Sequence, residues 1–579
     1  MQRLVRFTAA AGVAAVGVAI AVAPAGASSA AGNAATRHGH FQHLVVIYEE
    51  NHSFDNLYGG WGSVNGQPVD GIGGPGYSAH ATQVDQSSAP INCLFQNDAD
   101  LGTTSQSFKW LDGTSHPGLQ SPACTLTLAN GSSADSHFTS SQPFALSSYV
   151  TPSDRTCAPP NLSAANGVLK NDPQGLPGGC TRDIVHRFYQ EQYQLDGGKQ
   201  DRYSVGSDAA GLTQGYYDTT SLPIYSYLHS AGAPNYVIAD HFFQSAFGGS
   251  FLNHQFLIAA KAPVWNGLTT AQNKNSKLDS AGFPNSSYPL YKSQAAATYN
   301  DGPVTEACPS TGGGTDAAGD TVDANGRACG NNAINTVQPT NQPSAGGSNT
   351  LPLINDTDPS APNYESNIGD ELSAAGVSWN WYSGGWNDAN AGHPDPLFQY
   401  HHQPFNYFAN YAPGMPGRSH LLDETDFTSA AQNGTLPAVS FIKPIGEENE
   451  HPGYASTDNG ESHLVDLIKT IEGGPEADST LIVVTYDEFG GQWDHVAPPG
   501  QGNTDGPHDA YGPGTRVPAL VIGKPVQQSG VDSASYDTTS ILATIEAQWG
   551  VAPLGYRDAH VNNLLGDVKQ DAGNRSGNS

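Results

Sequence analysis

The chain has 579 residues, with 54 acidic against 23 basic side chains and a formal net charge of −31. Nucleic-acid binding needs clustered lysine and arginine, so this balance argues against a nucleic-acid partner, and it gives no general attraction to anionic membranes. An anionic substrate would need a local positive centre, for which a bound metal ion is the natural source. The acidity would equally serve to keep a secreted protein soluble, and the two explanations are compatible.

The N-terminal segment is typical of a secretory signal peptide. Arg3 and Arg6 precede an apolar run over residues 7–22, and Ala25-Gly26-Ala27 follows as an A-x-A cleavage site. The run is short for a bilayer span, so cleavage is favoured over a membrane anchor. We therefore expect residues 1–27 to be removed, and the protein to be secreted without a transmembrane anchor.

From residue 43 onward, short apolar runs alternate with amphipathic helical patterns. This alternation predicts an α/β fold whose mainly parallel sheet is covered on both faces. The predicted strands are His43–Tyr48, Tyr236–Ile238, Val377–Trp381, Ala438–Ile442, Leu481–Tyr486 and Val517–Ile522. The predicted helices are Ser366–Ala375, Glu461–Ile471 and Thr538–Trp549.

Two long stretches interrupt this alternation. Residues 60–183 and 262–362 are rich in Gly, Ser, Asn, Pro and Thr and contain all six cysteines. We interpret them as insertions in one catalytic domain over residues 41–565, followed by a disordered polar tail over 570–579. An even cysteine count behind a signal peptide predicts disulfides. The expected pairs are sequence neighbours: Cys93–Cys124, Cys157–Cys180 and Cys308–Cys329.

Two acidic pairs directly follow predicted buried strands. The first strand runs into Glu50-Asn51, and the strand ending at Tyr486 runs into Asp487-Glu488. Either pair alone is typical of a helix cap or an exposed loop. Because ligands of open α/β sheets bind at the carboxyl ends of strands, two such pairs together predict a shared metal site. Hard oxygen donors favour Ca²⁺, and Mg²⁺ or Mn²⁺ are also compatible.

A candidate nucleophile follows the strand-like segment that ends at Asp240. Gly248 and Gly249 precede Ser250, and the apolar residues after it predict a helix. A helix N-terminus stabilises a phosphate, and a neighbouring metal would lower the pKa of the serine hydroxyl and activate it. From the local sequence alone, the simpler role of a helix N-cap is favoured for Ser250.

Several histidines lie near acidic residues, which suggests acid–base or phosphate-binding work, although each taken singly is more typical of a surface or core histidine. They are His186, His401, His402, His451 and His495.

These motifs resemble those of the secreted phosphoesterase family that unites bacterial and plant phospholipases C with acid phosphatases. The family's E-N-x-S-F-D element matches Glu50–Asp55, its D-E-x-G-G-x-x-D-H-V element matches Asp487–Val496, and its R-V-P element matches Arg516–Pro518. Phospholipase C members typically carry T-x-P-N-R at the nucleophile, where this chain has the serine and histidine of Ser250–His254. This difference resembles the acid phosphatase branch.

The resemblance implies an alkaline-phosphatase-like α/β/α sandwich with one divalent metal ion. The implied metal ligands are Glu50, Asn51, Asp487 and Glu488, the nucleophile is Ser250, and the pocket histidines are His186, His402 and His451, with His401 an alternative to His402. The implied activity is phosphomonoester hydrolysis through a phosphoserine, with His402 or His451 protonating the leaving alcohol.

Two other functions are compatible with this sequence. A phospholipase C would cleave phosphodiesters of lipids with the same core. A secreted binding protein would retain the fold without turnover, although the intact set of ligands and nucleophile argues against it. The expected substrate is a phosphoester small molecule or a lipid.

Overall fold

The computed structural model describes residues 40–84, 88–90, 125–127, 133–135, 142–146, 183–207, 212–268, 302–336, 339–452 and 455–568. All of them belong to one compact unit. The predicted signal peptide (residues 1–27), the tail from residue 570 and Cys93, Cys124, Cys157 and Cys180 lie outside the described residues. The predicted Cys308–Cys329 disulfide is confirmed.

An eight-stranded sheet forms the centre of the fold. Its strands, in chain order, are β1 (His43–Glu49), β2 (Tyr236–Ala239), β3 (Trp379–Ser383), β4 (Leu421–Asp423), β5 (Val439–Lys443), β6 (Thr480–Tyr486), β7 (Ala519–Ile522) and β8 (Gly530–Asp532). Their order across the sheet is β4-β3-β5-β1-β6-β7-β2-β8. The two central strands, β1 and β6, are buried along almost their whole length, as expected of strands covered on both faces.

The sheet is mainly parallel, which confirms the predicted fold class. All pairings are parallel except the two that β7 makes, with β6 and with β2. Reversal of β7 has a consequence for the site. The segment before this strand, and not the segment after it, lies at the edge where the parallel strands end.

The helices are α1 (Phe54–Leu57), α2 (Tyr77–His80), α3 (Phe188–Leu195), α4 (Pro223–Leu228), α5 (Ser250–Ala259), α6 (Ile368–Ala375), α7 (Trp386–Asn390), α8 (Glu424–Asn433), α9 (Thr457–Glu472), α10 (Thr539–Trp549) and α11 (Tyr556–His560). Helix α9 packs against α4 and α8, whereas α5 packs against α6 and α10. These two groups cover the sheet as an α/β/α sandwich. Within the described residues, no helix is long and apolar enough to cross a membrane.

All six predicted strands and all three predicted helices are present, with ends shifted by a few residues. The edge strands β4 and β8 were not predicted, because three residues are too short to give a periodic signal. In the described parts of the two proposed insertions, short strand pairs and α2 occur, but no strand of the central sheet.

Candidate active site

Four parallel strands deliver the candidate residues to one edge of the sheet. Glu50-Asn51 follows β1, and Asp487-Glu488 follows β6. The chain leaving β2 reaches Ser250 as the first residue of α5, and the chain leaving β5 reaches His451. Since β1 and β6 are neighbours in register, with Glu49 opposite Tyr486, the two acidic pairs must be adjacent.

Glu50 is fully buried among cationic and imidazole groups. Its Oε1 lies 2.7 Å from Lys443 Nζ and 2.7 Å from His402 Nε2, and its Oε2 lies 3.8 Å from His451 Nε2. Burial alone would raise the pKa of this carboxyl, but the charge of Lys443 and the contact with His402 outweigh burial and hold the pKa well below its usual value. Glu50 is therefore an ionised carboxylate at the centre of the cluster.

Asn51 connects the two acidic pairs. Its backbone N–H donates to Asp487 Oδ1 over 3.2 Å, and its side-chain Nδ2 contacts His451 Nε2 at 3.0 Å. The residue adopts a left-handed backbone with φ 58°, an uncommon conformation that asparagine tolerates better than most residues. A Cβ on Gly490 would lie 2.3 Å from the Asn51 carbonyl oxygen, so only glycine allows this close approach.

Ser250 meets Glu488 at the N-terminus of α5. The Ser250 hydroxyl, 3% exposed, donates to Glu488 Oε1 over 3.5 Å, and His186 Nε2 lies 3.2 Å from the same oxygen. The other imidazole nitrogen of His186 contacts the Ile184 carbonyl oxygen at 2.6 Å, which orients the ring. The N-cap of α5 is Gly249, so Ser250 is not the cap, and its hydroxyl faces the carboxylate cluster.

Burial and neighbouring charges raise the pKa of both Asp487 and Glu488. Burial, followed by the charge of Glu50, raises the pKa of Asp487 to about 8. Burial, followed by the charge of Asp487, raises the pKa of Glu488 well above its usual value. In the described chain, Lys443 is the one lysine or arginine that pairs with these three carboxylates. If Glu50, Asp487 and Glu488 all ionise, Lys443 balances one of the three negative charges. A divalent cation would balance the other two.

The donor set fits such a cation. Asn51 Oδ1 and Asp487 Oδ2 are buried and accept no hydrogen bond from any described residue. Although Glu50 Oε1 and His402 Nε2 are 2.7 Å apart, His402 Nε2 makes no aligned hydrogen bond, so the two atoms do not point at each other. Buried acceptors without donors are costly, and oxygen-rich clusters of this kind bind hard divalent ions. Ligand atoms of Glu50, His254 and Asp487, and of Glu50, His401 and His402, also lie close enough to share an ion.

Of the neighbouring histidines His401 and His402, His402 makes the close contact with Glu50. His402 reaches the carboxylate, and burial lowers its pKa to about 4. His401 packs edge-on against His402, with the ring centroids 4.7 Å apart. His254 stacks on His402 with centroids 5.5 Å apart, and its Nδ1 contacts the Ser250 carbonyl oxygen at 2.7 Å. His451 Nδ1 contacts the Pro452 carbonyl oxygen at 2.7 Å, and its Nε2 lies toward Asn51 and Glu50.

His495 lies in a separate ion-pair network. Its Nδ1 is 2.6 Å from Asp55 Oδ2 and its Nε2 is 3.2 Å from Asp70 Oδ1. Arg516, fully buried, donates from Nε to Asp494 Oδ1 over 3.0 Å and from Nη2 to Asp55 Oδ1 over 3.2 Å. Each of these aspartates thus has a cationic or imidazole partner among the described residues. The network thus ties together the three sequence elements that contain Asp55, Asp494 and Arg516.

Comparison with known sequences identifies the family. The sequence model of the Phosphoesterase family matches residues 155–552, well over half of the chain. The chain belongs to this family. The matched range contains the proposed nucleophile, three pocket histidines and the second acidic pair, whereas Glu50 and Asn51 precede it.

Relatives carry names of both phospholipases and phosphatases. The non-hemolytic phospholipase C of Burkholderia pseudomallei is 31% identical over 216 residues, which cover 31% of this chain and 29% of that protein. Phospholipase C B of Mycobacterium tuberculosis H37Rv is 29% identical over 34% of this chain and 41% of that protein. The probable acid phosphatase of Kluyveromyces lactis is 25% identical over 35% and 47%. The matches therefore span less than half of each relative.

Among solved structures, a protein of the alkaline phosphatase superfamily from Vibrio parahaemolyticus matches 34% of this chain and 50% of that chain, at 16% identity and a TM-score of 0.20. A score this low supports no argument, so the fold assignment rests on the sheet and its two helical layers.

Lys443 and His254 are two site residues that the sequence did not predict. Lys443 is the last residue of β5, and the only signal was its place at the carboxyl end of a predicted strand. His254 lies one helical turn after Ser250, so both side chains occupy one face of α5. That spacing, combined with the proposed role of Ser250, could have identified it.

Proposed function

We propose that the protein is a secreted, metal-dependent phosphoesterase that hydrolyses phosphomonoesters through a phosphoserine on Ser250. The observation that supports this most directly is the 3.5 Å contact between the Ser250 hydroxyl and Glu488 within the four-residue cluster of Glu50, Asn51, Asp487 and Glu488. These four residues would hold one divalent ion, Ca²⁺ first and Mg²⁺ or Mn²⁺ as alternatives. The ion would supply positive charge against the phosphoryl oxygens.

Ser250 is positioned to attack phosphorus. Its Oγ would form the new P–O bond as the bond to the leaving alcohol breaks, and its proton would pass toward Glu488 Oε1, beside which His186 Nε2 lies at 3.2 Å. The backbone N–H groups of the first turn of α5 have no partners within the helix, so they favour the phosphoryl oxygens. Hydrolysis of the phosphoserine by water then returns the serine and releases phosphate.

The leaving alcohol needs a proton, which we assign to His402 or His451. Both imidazoles face Glu50, at 2.7 Å and 3.8 Å. Burial keeps His402 neutral before substrate binds, because its pKa is lowered to about 4. The ring beside the leaving oxygen would take up a proton from water, favoured by the negative charge of the bound phosphoryl group, and pass it to that oxygen as the P–O bond breaks.

Ser250→Ala tests the nucleophile. We expect hydrolysis of 4-nitrophenyl phosphate to fall by about three orders of magnitude or more, with the unfolding midpoint close to that of the wild type. Denaturing the wild-type enzyme during turnover should trap ³²P on a peptide that contains Ser250. A variant that retains near-normal turnover would disprove the assignment. Metal content by elemental analysis, with activity before and after chelation, tests the ion in the same preparation.

The leaving-group acid can be identified with two substrates. 4-Nitrophenolate leaves without a proton, whereas an alkyl alcohol needs one. His402→Gln and His451→Gln should therefore be compared on 4-nitrophenyl phosphate and on an alkyl phosphate. The acid is the histidine whose loss reduces alkyl phosphate turnover much more. Equal losses on both substrates for both variants would contradict a histidine acid.

A phospholipase C activity is the second candidate, because relatives named phospholipase C match at 28–31% identity. Assays of phosphatidylcholine beside an alkyl phosphate separate the two activities. A higher kcat/KM for the lipid would favour the phospholipase.

A further inference from the structure

A second group of possible metal ligands lies away from the candidate active site. Ligand atoms of Glu424, Glu448 and His463 fall within 4.8 Å of one another. His463 Nε2 is 2.8 Å from Glu424 Oε1 and 3.8 Å from Glu448 Oε2. Three separate elements contribute: Glu424 begins α8, Glu448 follows β5 and His463 lies within α9. Their side chains are between 13% and 41% exposed, so an ion from solvent could reach them.

The contact between His463 and Glu424 is the shortest in this cluster. Although their nearest atoms are 2.8 Å apart, His463 Nε2 has no aligned hydrogen-bond partner among the described residues. Glu424 Oε2 is likewise buried without a donor. Glu424 Oε2 therefore has a lone pair that a cation beside His463 could take up.

Glu49 provides an independent observation. This carboxylate is fully buried at the end of β1, and neither of its oxygens accepts a hydrogen bond from a described residue. After Lys443, the charges that act on it most strongly are those of His463 and Glu424. Alternation along β1 sends Glu49 to the face of the sheet opposite Glu50, toward α8 and α9. An unpartnered buried carboxyl group thus lies on the same face of the sheet as the cluster.

We propose that Glu424, Glu448 and His463, with Glu49 behind them, form a second divalent metal site. One imidazole and several carboxylates suit a first-row transition ion, Zn²⁺ or Mn²⁺. The ion would join the start of α8, the segment after β5 and α9. That segment continues into Asn449, whose carbonyl accepts the Glu50 N–H over 2.9 Å, and into His451. The second ion would therefore be structural, fixing the segment that carries a pocket histidine, and the proposal is independent of the reaction assigned to Ser250.

Zn²⁺ stoichiometry tests this site. The purified full chain is stripped of metal, dialysed against Zn²⁺ and analysed for bound zinc and for the rise in its unfolding midpoint. His463→Gln and Glu448→Gln should each bind about one equivalent less than the wild type and lose part of the zinc-dependent rise. Glu448 is 41% exposed and lies outside the helices and strands, so its variant answers the question if His463→Gln does not fold.

Two control variants show whether a loss of bound zinc is specific to the proposed second site. Glu476→Gln removes a carboxylate that faces His43 at 3.5 Å and belongs to no candidate metal group among the described residues, so it should bind as much zinc as the wild type. Asp487→Asn reports on the active-site cluster alone. If His463→Gln and Glu448→Gln both bind wild-type zinc, the second site is refuted. If only Asp487→Asn does so, the zinc that the other two variants lose belongs to the second site, which stands, and the catalytic ion is tested separately by elemental analysis and chelation.

Discussion

His495 should make the stability of the protein strongly dependent on pH. Burial of its ring favours the neutral form, but the charge of Asp55 and hydrogen bonds to Asp55 and Asp70 outweigh burial and raise its pKa to about 9. Moving a histidine pKa from 6.5 to about 9 corresponds to about 3 kcal/mol, since each pKa unit is worth about 1.4 kcal/mol. Because the folded-state pKa is the higher one, this stabilisation is fully present below pH 6.5 and is lost as the pH rises through about 9.

The His495→Gln variant measures how much the charged His495 ring contributes to the free energy of unfolding. Urea unfolding of wild type and variant between about pH 6 and 10 gives the difference in free energy of unfolding at each pH. We expect a gap of about 3 kcal/mol at the acidic end that shrinks toward about 1 kcal/mol, the value of a neutral hydrogen bond, at the alkaline end. Asp70→Asn removes one of the two carboxylates and should reproduce part of the effect. A gap that does not change with pH would refute the reasoning.

Three further substitutions test the network and the site. Arg516→Met leaves buried Asp494 without its guanidinium partner, although Asp55 keeps His495, and should cost about 3–5 kcal/mol in urea unfolding. Lys443→Met removes the lysine 2.7 Å from Glu50, so an added divalent ion should raise the unfolding midpoint more in the variant than in the wild type. Gly490→Ala places a Cβ 2.3 Å from the Asn51 carbonyl and should reduce hydrolysis about 100-fold. Gly550→Ala is its control, with φ 70° and open space, and should cost about 1 kcal/mol without loss of turnover.

Each of these tests has a contradicting result. An Arg516→Met variant as stable as the wild type would mean that its aspartates are not held as ions. A metal-induced rise in the midpoint that is equal in both proteins would mean that the charge of Lys443 does not affect the proposed metal-binding carboxylates. Equal turnover losses in Gly490→Ala and Gly550→Ala would show that glycine replacement in a left-handed conformation is harmful wherever it occurs, and not through Asn51.

The sequence predicts the buried strands well, because a short apolar run rich in β-branched residues, such as Leu481–Tyr486, favours a buried strand. It cannot predict the direction of a strand. Val517–Ile522 has the same apolar character as the parallel strands, yet β7 runs antiparallel between β6 and β2. The hydrophobic pattern determines whether a strand is buried. The direction of the strand depends on the path of the connecting chain, which here joins strands that are far apart in sequence.

Residues that directly follow a strand were the part of the site that sequence could predict. Glu50 and Asp487 depend on one structural rule, that parallel strands end at a common edge. His402, in contrast, lies well beyond the end of β3, and nothing in the local sequence distinguishes it from His401. Their difference arises only from tertiary packing, which directs one ring to Glu50 and leaves the other against its neighbour.

The reversed strand also explains why Arg516 lies near the segments that carry the acidic pairs, although it does not contact Ser250. Because β7 is antiparallel, the residues just before it, and not those after it, lie at the edge where β1 and β6 end. Arg516 there reaches Asp55, which follows Glu50-Asn51, and Asp494, which follows Asp487-Glu488. One guanidinium thus fixes both chain segments that leave the acidic pairs. Arg516 would then contribute to the reaction by fixing the spacing of the proposed metal ligands. Arg516→Lys retains the charge but not the forked geometry of the guanidinium. It should therefore weaken metal binding more than it weakens folding.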